Sequence, residues 1–126
     1  MIAEDDDGIR DVLEMLFTEA GFRVTICANL DRARAAIQRQ QPQLLISDLR
    51  LGSSTHGGLD LVRDARLQVP EAPEAILLTG MLPSTISAEI KALEALGGHL
   101  MSKPFDIDSL LDLAHELTGW PDKSSI

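Results

Sequence analysis

The fold is decided by residues 44–51, which read Leu-Leu-Ile-Ser-Asp-Leu-Arg-Leu. Three apolar residues in a row, with no polar alternation, are typical of a strand covered on both faces in a parallel sheet. Asp48 stands at the carboxyl end of this strand, and the Gly-Ser-Ser sequence at 52–54 then breaks the pattern. Chemistry in open α/β sheets gathers beyond the carboxyl ends of the strands. Asp48 is therefore a candidate functional residue, although by itself it could equally cap the next helix or lie in solvent.

The rest of the chain alternates between predicted strands and predicted helices. Strands are predicted at residues 1–3, 22–26, 44–48, 75–79 and 99–102. The second strand alternates apolar and polar residues, as a half-covered edge strand does. Because each strand is followed by apolar residues at helical spacing, the pattern predicts a doubly wound five-stranded parallel sheet with helices on both faces. The strand order 2-1-3-4-5 places the second strand at an edge.

Capping residues and helix breakers predict where the five helices begin. The predicted caps or first residues are, in chain order, Asp7, Asn29 or Asp31, Gly58, Pro83 with Ser84, and Asp106. Gly21 is predicted to follow the first helix as its C′ residue, and the Gly-Gly pair at 97–98 to stop the fourth.

Length, charge and composition narrow the class of protein. A chain of 126 residues forms one domain with a real core, and its formal net charge of −9 repels phosphate backbones, which argues against direct nucleic-acid binding. The sequence shows no signal segment and no membrane-spanning run, so a cytoplasmic location is expected. Cys27 is the single cysteine, which excludes an internal disulfide, and its apolar strand predicts a buried, inert thiol.

Polar residues follow four of the predicted strands at the same edge of the sheet. Glu4 and Asp5 follow the first strand, Asp48 ends the third, Thr79 ends the fourth and Lys103 follows the fifth. Two carboxylates about 4 Å apart repel by roughly 4 kcal/mol at an effective dielectric near 20, so three together call for a cation. A hard divalent ion such as Mg²⁺ meets this need. An aspartate beside Mg²⁺ and a lysine is equipped to accept a phosphoryl group on its own carboxylate.

With these residues in place, the chain resembles the receiver domain of two-component response regulators over nearly its whole length. The match rests on the acidic pair Glu4-Asp5, on Asp48 in Ile-Ser-Asp-Leu-Arg-Leu, on Thr79 in Leu-Leu-Thr-Gly and on Lys103 in Ser-Lys-Pro-Phe. The resemblance implies a flavodoxin-like, or CheY-like, three-layer sandwich. It also implies a receiver domain at residues 1–119 and a C-terminal tail at 120–126.

The resemblance assigns a role to each matched residue. It implies that Glu4, Asp5 and Asp48 hold Mg²⁺, or Mn²⁺ in its place, together with the backbone carbonyl of Arg50. Asp48 is the implied phosphoacceptor, Thr79 the switch hydroxyl and Lys103 the family's lysine. Pro104 matches the position that the family usually makes cis.

The resemblance also implies partners for this domain. A histidine kinase or phosphotransfer protein would donate the phosphoryl group to Asp48. The signal would pass to a downstream protein or to an output domain on a larger chain, and a homodimer through the face of the fourth helix, fifth strand and fifth helix is allowed. No separate catalytic domain follows, so a signalling domain rather than an enzyme is expected, with no membrane partner.

Three positions depart from the family pattern. Leu100 stands where the family usually has Tyr or Phe, so an aromatic rotamer switch is excluded and the output face must respond by helix and loop shifts. The segment 52–57 is longer than the usual turn and lacks its proline. The first strand begins only three residues before Glu4, as in a domain cut from a larger chain.

Three other functions fit the residues less well, and one alternative origin of a receiver domain fits them equally. An atypical receiver, which docks a partner without phosphorylation, would not need the acidic pair, Asp48, Thr79 and Lys103. A domain taken from a hybrid histidine kinase would carry the same residues. An aspartate-based phosphohydrolase needs a general acid two residues after its nucleophile, where this chain has Arg50. A flavodoxin-like nucleotide binder needs a glycine-rich phosphate loop after the first strand, which is missing.

Overall fold

The computed structural model describes residues 1–51 and 57–119, and these form five strands and five α-helices in alternation. The strands are β1 (Ile2–Ala3), β2 (Ile26–Cys27), β3 (Leu44–Asp48), β4 (Glu74–Thr79) and β5 (His99–Ser102). The helices are α1 (Asp7–Glu19), α2 (Leu30–Gln40), α3 (Gly57–Gln68), α4 (Ser87–Ala95) and α5 (Ile107–Thr118). The predicted C-terminal tail and all of the 52–57 segment except Gly57 lie outside the described residues.

The five strands form one parallel sheet in the order β2-β1-β3-β4-β5. The doubly wound sheet, its strand order and the edge position of β2 are therefore confirmed. α1 and α5 contribute to an apolar cluster that includes Phe17 and Leu110, whereas α2, α3 and α4 contribute to a second that includes Ile37, Val62 and Leu93. Because parallel strands buried on both faces need a helical layer on each side, the domain has three layers.

The first helix begins one residue away from the predicted cap. Asp6, not Asp7, is the N-cap: its backbone is extended, and its Oδ1 accepts a hydrogen bond from the Ile9 amide at 2.9 Å. Asp7 is the first helical residue and pairs with Arg10 instead. Three consecutive aspartates offer equivalent caps, so the apolar spacing could not select among them. The caps Asn29 and Asp106 are confirmed.

Two other predicted boundaries differ from the structure by more than one residue. Pro83 and Ser84 form a 3-10 turn, Pro83–Thr85, and α4 begins only at Ser87, because Ile86 has a non-helical backbone with φ −127° and ψ 31°. Proline suits the first position of either kind of helix, so it could not distinguish them. The second strand is shorter than predicted and contains only Ile26 and Cys27. Buried Cys27 is confirmed, and none of the helices within 1–51 and 57–119 has the length and apolar character of a membrane span.

A groove of about 560 Å³ lies at the amino end of β3, the central strand of the sheet. Its lining includes Met1, Phe22, Val24 and Leu44. The Met1 ammonium is buried here and donates a hydrogen bond to the Leu44 carbonyl at 2.8 Å. Burial lowers the pKa of this amine to about 6, and nearby Cys27 opposes the shift.

In a chain whose first residue is Met1, we expect the buried amine to make the free energy of unfolding depend on pH between 6 and 8. The unfolded chain binds a proton near pH 8, whereas the folded chain binds it only near pH 6. The free energy of unfolding should therefore rise by about 2 kcal/mol between pH 6 and pH 8, which is most of the roughly 2.7 kcal/mol that a shift of two pKa units is worth. Urea unfolding at both pH values would measure this difference.

A chain extended by three or four residues ahead of Met1 is the matched control. The extension replaces the amine by an amide, which should abolish this part of the pH dependence while other titrations stay the same. An apolar extended segment should also add stability, because it would continue β1 between β2 and β3 and cover part of the groove. An equal pH slope in the two chains would contradict the assignment to Met1.

Candidate functional site

The carboxyl ends of β1 and β3 bring three carboxylates together. Glu4 and Asp5 directly follow β1, and Asp48 is the last residue of β3. The two strands are hydrogen-bonded neighbours with Ala3 opposite Ser47, so the acidic pair lies beside Asp48. One oxygen from each of the three carboxylates lies within 4.8 Å of the other two. The convergence predicted from strand order is thus present.

Lys103 supplies the positive charge of the site. Its Nζ lies 3.0 Å from Asp48 Oδ1 and 3.1 Å from Oδ2, and both side chains are largely covered. Lys103 reaches this position because its backbone amide donates to the Thr79 carbonyl at 2.6 Å, which continues the ladder between β4 and β5. The ammonium therefore contacts both Asp48 oxygens while β4 and β5 fix the backbone that carries it.

Glu4 is the most buried acid of the site, with a relative exposure of 1%. Burial raises its pKa, and the Asp48 charge adds to this effect, whereas a hydrogen bond from the Asp6 amide to Glu4 Oε1 at 3.1 Å opposes it. Burial likewise raises the pKa of Asp48, against the hydrogen bond and charge of Lys103. Burial is thus the main cause of both shifts, and the charges of neighbouring acids add to it.

The remaining predicted residues surround this cluster. Thr79 ends β4 one position beyond Leu78, the residue paired with Asp48, and its buried hydroxyl accepts a hydrogen bond from the Met81 amide at 3.1 Å. The Lys103–Pro104 peptide bond is cis, as the resemblance implied. Leu100 packs against the cluster of α2, α3 and α4. The side chain of Arg50 is exposed, and the role of its carbonyl stays a prediction.

Two residues that shape the site were missed by the sequence analysis. Arg10 donates from Nη1 to the Glu4 carbonyl at 3.1 Å and also pairs with Asp7, so it fixes the loop that carries the acids. Gly58 was predicted only as a helix start, but a Cβ there would lie 2.1 Å from the Asp48 carbonyl oxygen. The Gly-Gly pair so soon after Asp48 was the available signal for this close approach.

The donor set fits a hard divalent cation. Three carboxylates offer only oxygen ligands, which Mg²⁺ and Mn²⁺ accept, and these ions commonly retain several waters. A bound cation would favour the charged forms of Glu4 and Asp48, against the burial that raises their pKa values. The doubly wound sheet and the three carboxylates at the carboxyl ends of its strands together define a class of α/β protein whose functional site lies at that edge of the sheet.

Comparison with known proteins identifies the family within that class. Residues 1–115 match the model of the response regulator receiver domain, and the chain belongs to that family. It is 31% identical over 112 residues to the DNA-binding transcriptional regulator NtrC of Proteus hauseri, covering 89% of this chain and 23% of that protein. It is 27% identical over 113 residues to the response regulator protein PilR of Pseudomonas aeruginosa, covering 90% and 24%. The chain thus spans about a quarter of the length of these relatives.

Solved structures agree with this assignment. The receiver domain of NtrX from Brucella abortus superposes with a TM-score of 0.79 at 26% identity, covering 94% of this chain and 97% of that one. The chemotaxis response regulator CheY4 of Vibrio cholerae gives a TM-score of 0.77 at 24% identity, covering 92% and 94%, and supports the fold. The protein is a receiver domain with a CheY-like fold, a signalling domain of two-component systems.

Proposed function

We propose that this receiver accepts a phosphoryl group on Asp48 from a histidine kinase or phosphotransfer protein and passes the signal through protein contacts. The observation that carries the proposal is the meeting of Glu4, Asp5, Asp48 and Lys103 at one sheet edge. Acidic residues that only keep the surface of a domain solvated would not gather around one covered lysine. Together the carboxylates offer the oxygen ligands for a divalent cation, and such a cation beside Lys103 is what acceptance of a dianionic group requires.

We assign the metal site to the carboxylates of Glu4, Asp5 and Asp48, with the Arg50 carbonyl as a further ligand. Bound Mg²⁺ or Mn²⁺ would neutralise the charge on the transferring phosphoryl oxygens. Glu4 is held by the Asp6 amide and Asp5 follows it directly, so the loop after β1 presents both acids without rearrangement of the strand.

Asp48 acts as the nucleophile in this proposal. One of its carboxylate oxygens forms a bond to phosphorus as the phosphorus–nitrogen bond of the donor phosphohistidine breaks, and the electron pair of that bond returns to the imidazole. Lys103 contacts both Asp48 oxygens before transfer, so it orients the carboxylate and offers its charge to the phosphoryl oxygens afterwards. The phosphoryl group leaves the donor protein and joins this one, so the total charge of the two proteins is unchanged.

Thr79 connects the modified aspartate to the surface. Its hydroxyl lies at the end of the strand next to β3 and accepts from the Met81 amide, so a hydrogen bond to a phosphoryl oxygen would change the start of the 80–86 segment. This segment leads directly into α4. With Leu100 in place of an aromatic residue, we propose that the output face changes through the 80–86 segment and α4.

Several finer assignments stay predictions. These are the cytoplasmic location, the homodimer through α4, β5 and α5, and the absence of direct nucleic-acid binding by this domain. The target is a downstream protein or an output domain on a larger chain. A receiver that docks without phosphorylation, or one from a hybrid histidine kinase, would share the fold but differ in the test below or in its partners.

The proposal is tested with acetyl phosphate as a small phosphoryl donor. Intact-mass spectrometry should show one phosphoryl adduct per chain in the presence of Mg²⁺, and removal of the metal with EDTA should abolish it, because the three carboxylates then repel the donor. Mn²⁺ should restore the adduct. If neither the adduct nor beryllofluoride binding appears with Mg²⁺, the chain acts as a phosphorylation-independent docking module.

A further inference from the structure

Arg66 joins three segments that are distant in sequence. It lies in the last turn of α3, is half-buried, and donates from Nε to the Leu96 carbonyl at 2.8 Å and from Nη1 to the Pro73 carbonyl at 2.9 Å. Leu96 is the C-cap of α4, and Pro73 immediately precedes β4. A single guanidinium therefore ties the ends of α3 and α4 to the entrance of β4.

The geometry of these contacts makes them specific to the present position of α4. The carbonyl of Leu96 is left without a helical partner where α4 ends, and the amides of the next two glycines bond back to Glu94 and Leu93. The planar guanidinium has its donors in fixed directions, so it reaches both carbonyls only when α4 and the β4 entrance keep their present separation. A displacement of α4 relative to α3 would lengthen at least one of the two bonds.

The other end of α4 is joined to the phosphoryl site by the segment 80–86. Its N-cap, Ile86, is buried but makes no side-chain capping bond, and the residues at 82–85 before it are exposed. No heavy atom lies within 4 Å of the Cβ position of Gly80. The exposed residues at 82–85 leave this segment room to rearrange, whereas Arg66 bonds to the far end of the helix.

We propose that Arg66 is a positioning residue that holds α4 in the position seen here, in which the Thr79 hydroxyl accepts from the Met81 amide, and thereby opposes phosphorylation-linked switching. The inference rests on the proposed function, because it needs α4 to shift when Asp48 is modified. Hydrogen bonds that exist in only one of two states bias the equilibrium toward that state. By linkage, the bonds of Arg66 must weaken the binding of any group that favours the shifted position.

Beryllofluoride with Mg²⁺, which stands in for the phosphoryl group on Asp48, provides the test. The variant Arg66→Met keeps the aliphatic stem and removes both hydrogen bonds, and its beryllofluoride affinity should rise about three- to tenfold over wild type. Arg66→Lys keeps the charge but cannot bridge both carbonyls, so its affinity should also rise. Arg63→Met is the matched control on the same helix, since Arg63 pairs only locally with Asp60 in the described contacts, and it should bind as wild type does.

A second readout separates positioning from a purely structural role. Arg66→Met should unfold more easily than wild type without beryllofluoride, and saturating beryllofluoride should shrink this stability difference. An unchanged affinity in both Arg66 variants, or a stability difference that persists on saturation, would overturn the inference. Failure of wild type and Arg63→Met to bind beryllofluoride would instead overturn the proposed function on which it rests.

Discussion

Asp48→Asn is expected to abolish the phosphoryl adduct formed from acetyl phosphate and Mg²⁺. The amide keeps the shape of the side chain, and its oxygen can still accept from Lys103, but it has no carboxylate oxygen to attack phosphorus. It also removes one of the three negative charges that attract the cation. We expect the adduct to fall at least about a hundredfold, since loss of a nucleophile leaves only the binding contributions to catalysis.

The measurement is intact-mass spectrometry on wild type and variant over the same time course. Asp64→Asn is the control, because this aspartate lies about two turns into α3, is partly exposed and pairs with Arg34 at 2.7 Å. The control should accumulate the adduct at the wild-type rate. An adduct of wild-type yield in Asp48→Asn would remove Asp48 from the role of phosphoacceptor.

Gly58→Ala is expected to disrupt both stability and phosphorylation. A Cβ at this position would lie 2.1 Å from the Asp48 carbonyl oxygen and 3.1 Å from the Leu49 Cα. These are backbone atoms, which cannot turn aside as a side chain can, so α3 or the end of β3 must move. Alanine favours a helix over glycine by about 1 kcal/mol, but overpacking costs about 1–3 kcal/mol, and we expect the upper end of this range where the neighbour is backbone.

Urea unfolding would measure this loss, and Gly8→Ala supplies a matched control. Gly8 is the second residue of α1, as Gly58 is of α3, but the nearest atom to its Cβ position is Asp6 Oδ1 at 3.4 Å, an ordinary contact. Gly8→Ala should be neutral or stabilising by up to about 1 kcal/mol. Equal stabilities of the two variants would show that β3 tolerates the movement. If Gly58→Ala folds, slower adduct formation would reveal the displaced Asp48.

Sequence patterns predicted the site because it is built from strand ends. The run at 44–48 marked a buried parallel strand, and the alternation of strands and helices then placed Glu4, Asp5, Thr79 and Lys103 at the same edge. This placement follows from the order of strands and helices along the chain, which the spacing of apolar residues predicts well. They required no knowledge of side-chain packing.

Features that depend on alternatives of nearly equal energy escaped prediction. Asp6 and Asp7 are equally good caps in composition, and only the tertiary position of the loop after β1 decides that Asp6 bonds to Ile9 while its amide bonds to Glu4. Tertiary structure also decides the 3-10 turn at Pro83, because the backbone must leave β4 and reach the buried position of Ile86 before α4 can begin.

The sequence by itself determined the order of the elements, the strand order, the charge and the identities of the acids and the lysine at one edge. Only the tertiary structure decided that Lys103 contacts both oxygens of Asp48, that Gly58 leaves room for the Asp48 carbonyl, and that Arg66 reaches the end of α4. The physical reason is range: periodicity and capping act within a few residues, whereas these contacts join residues from different elements and depend on how the layers pack.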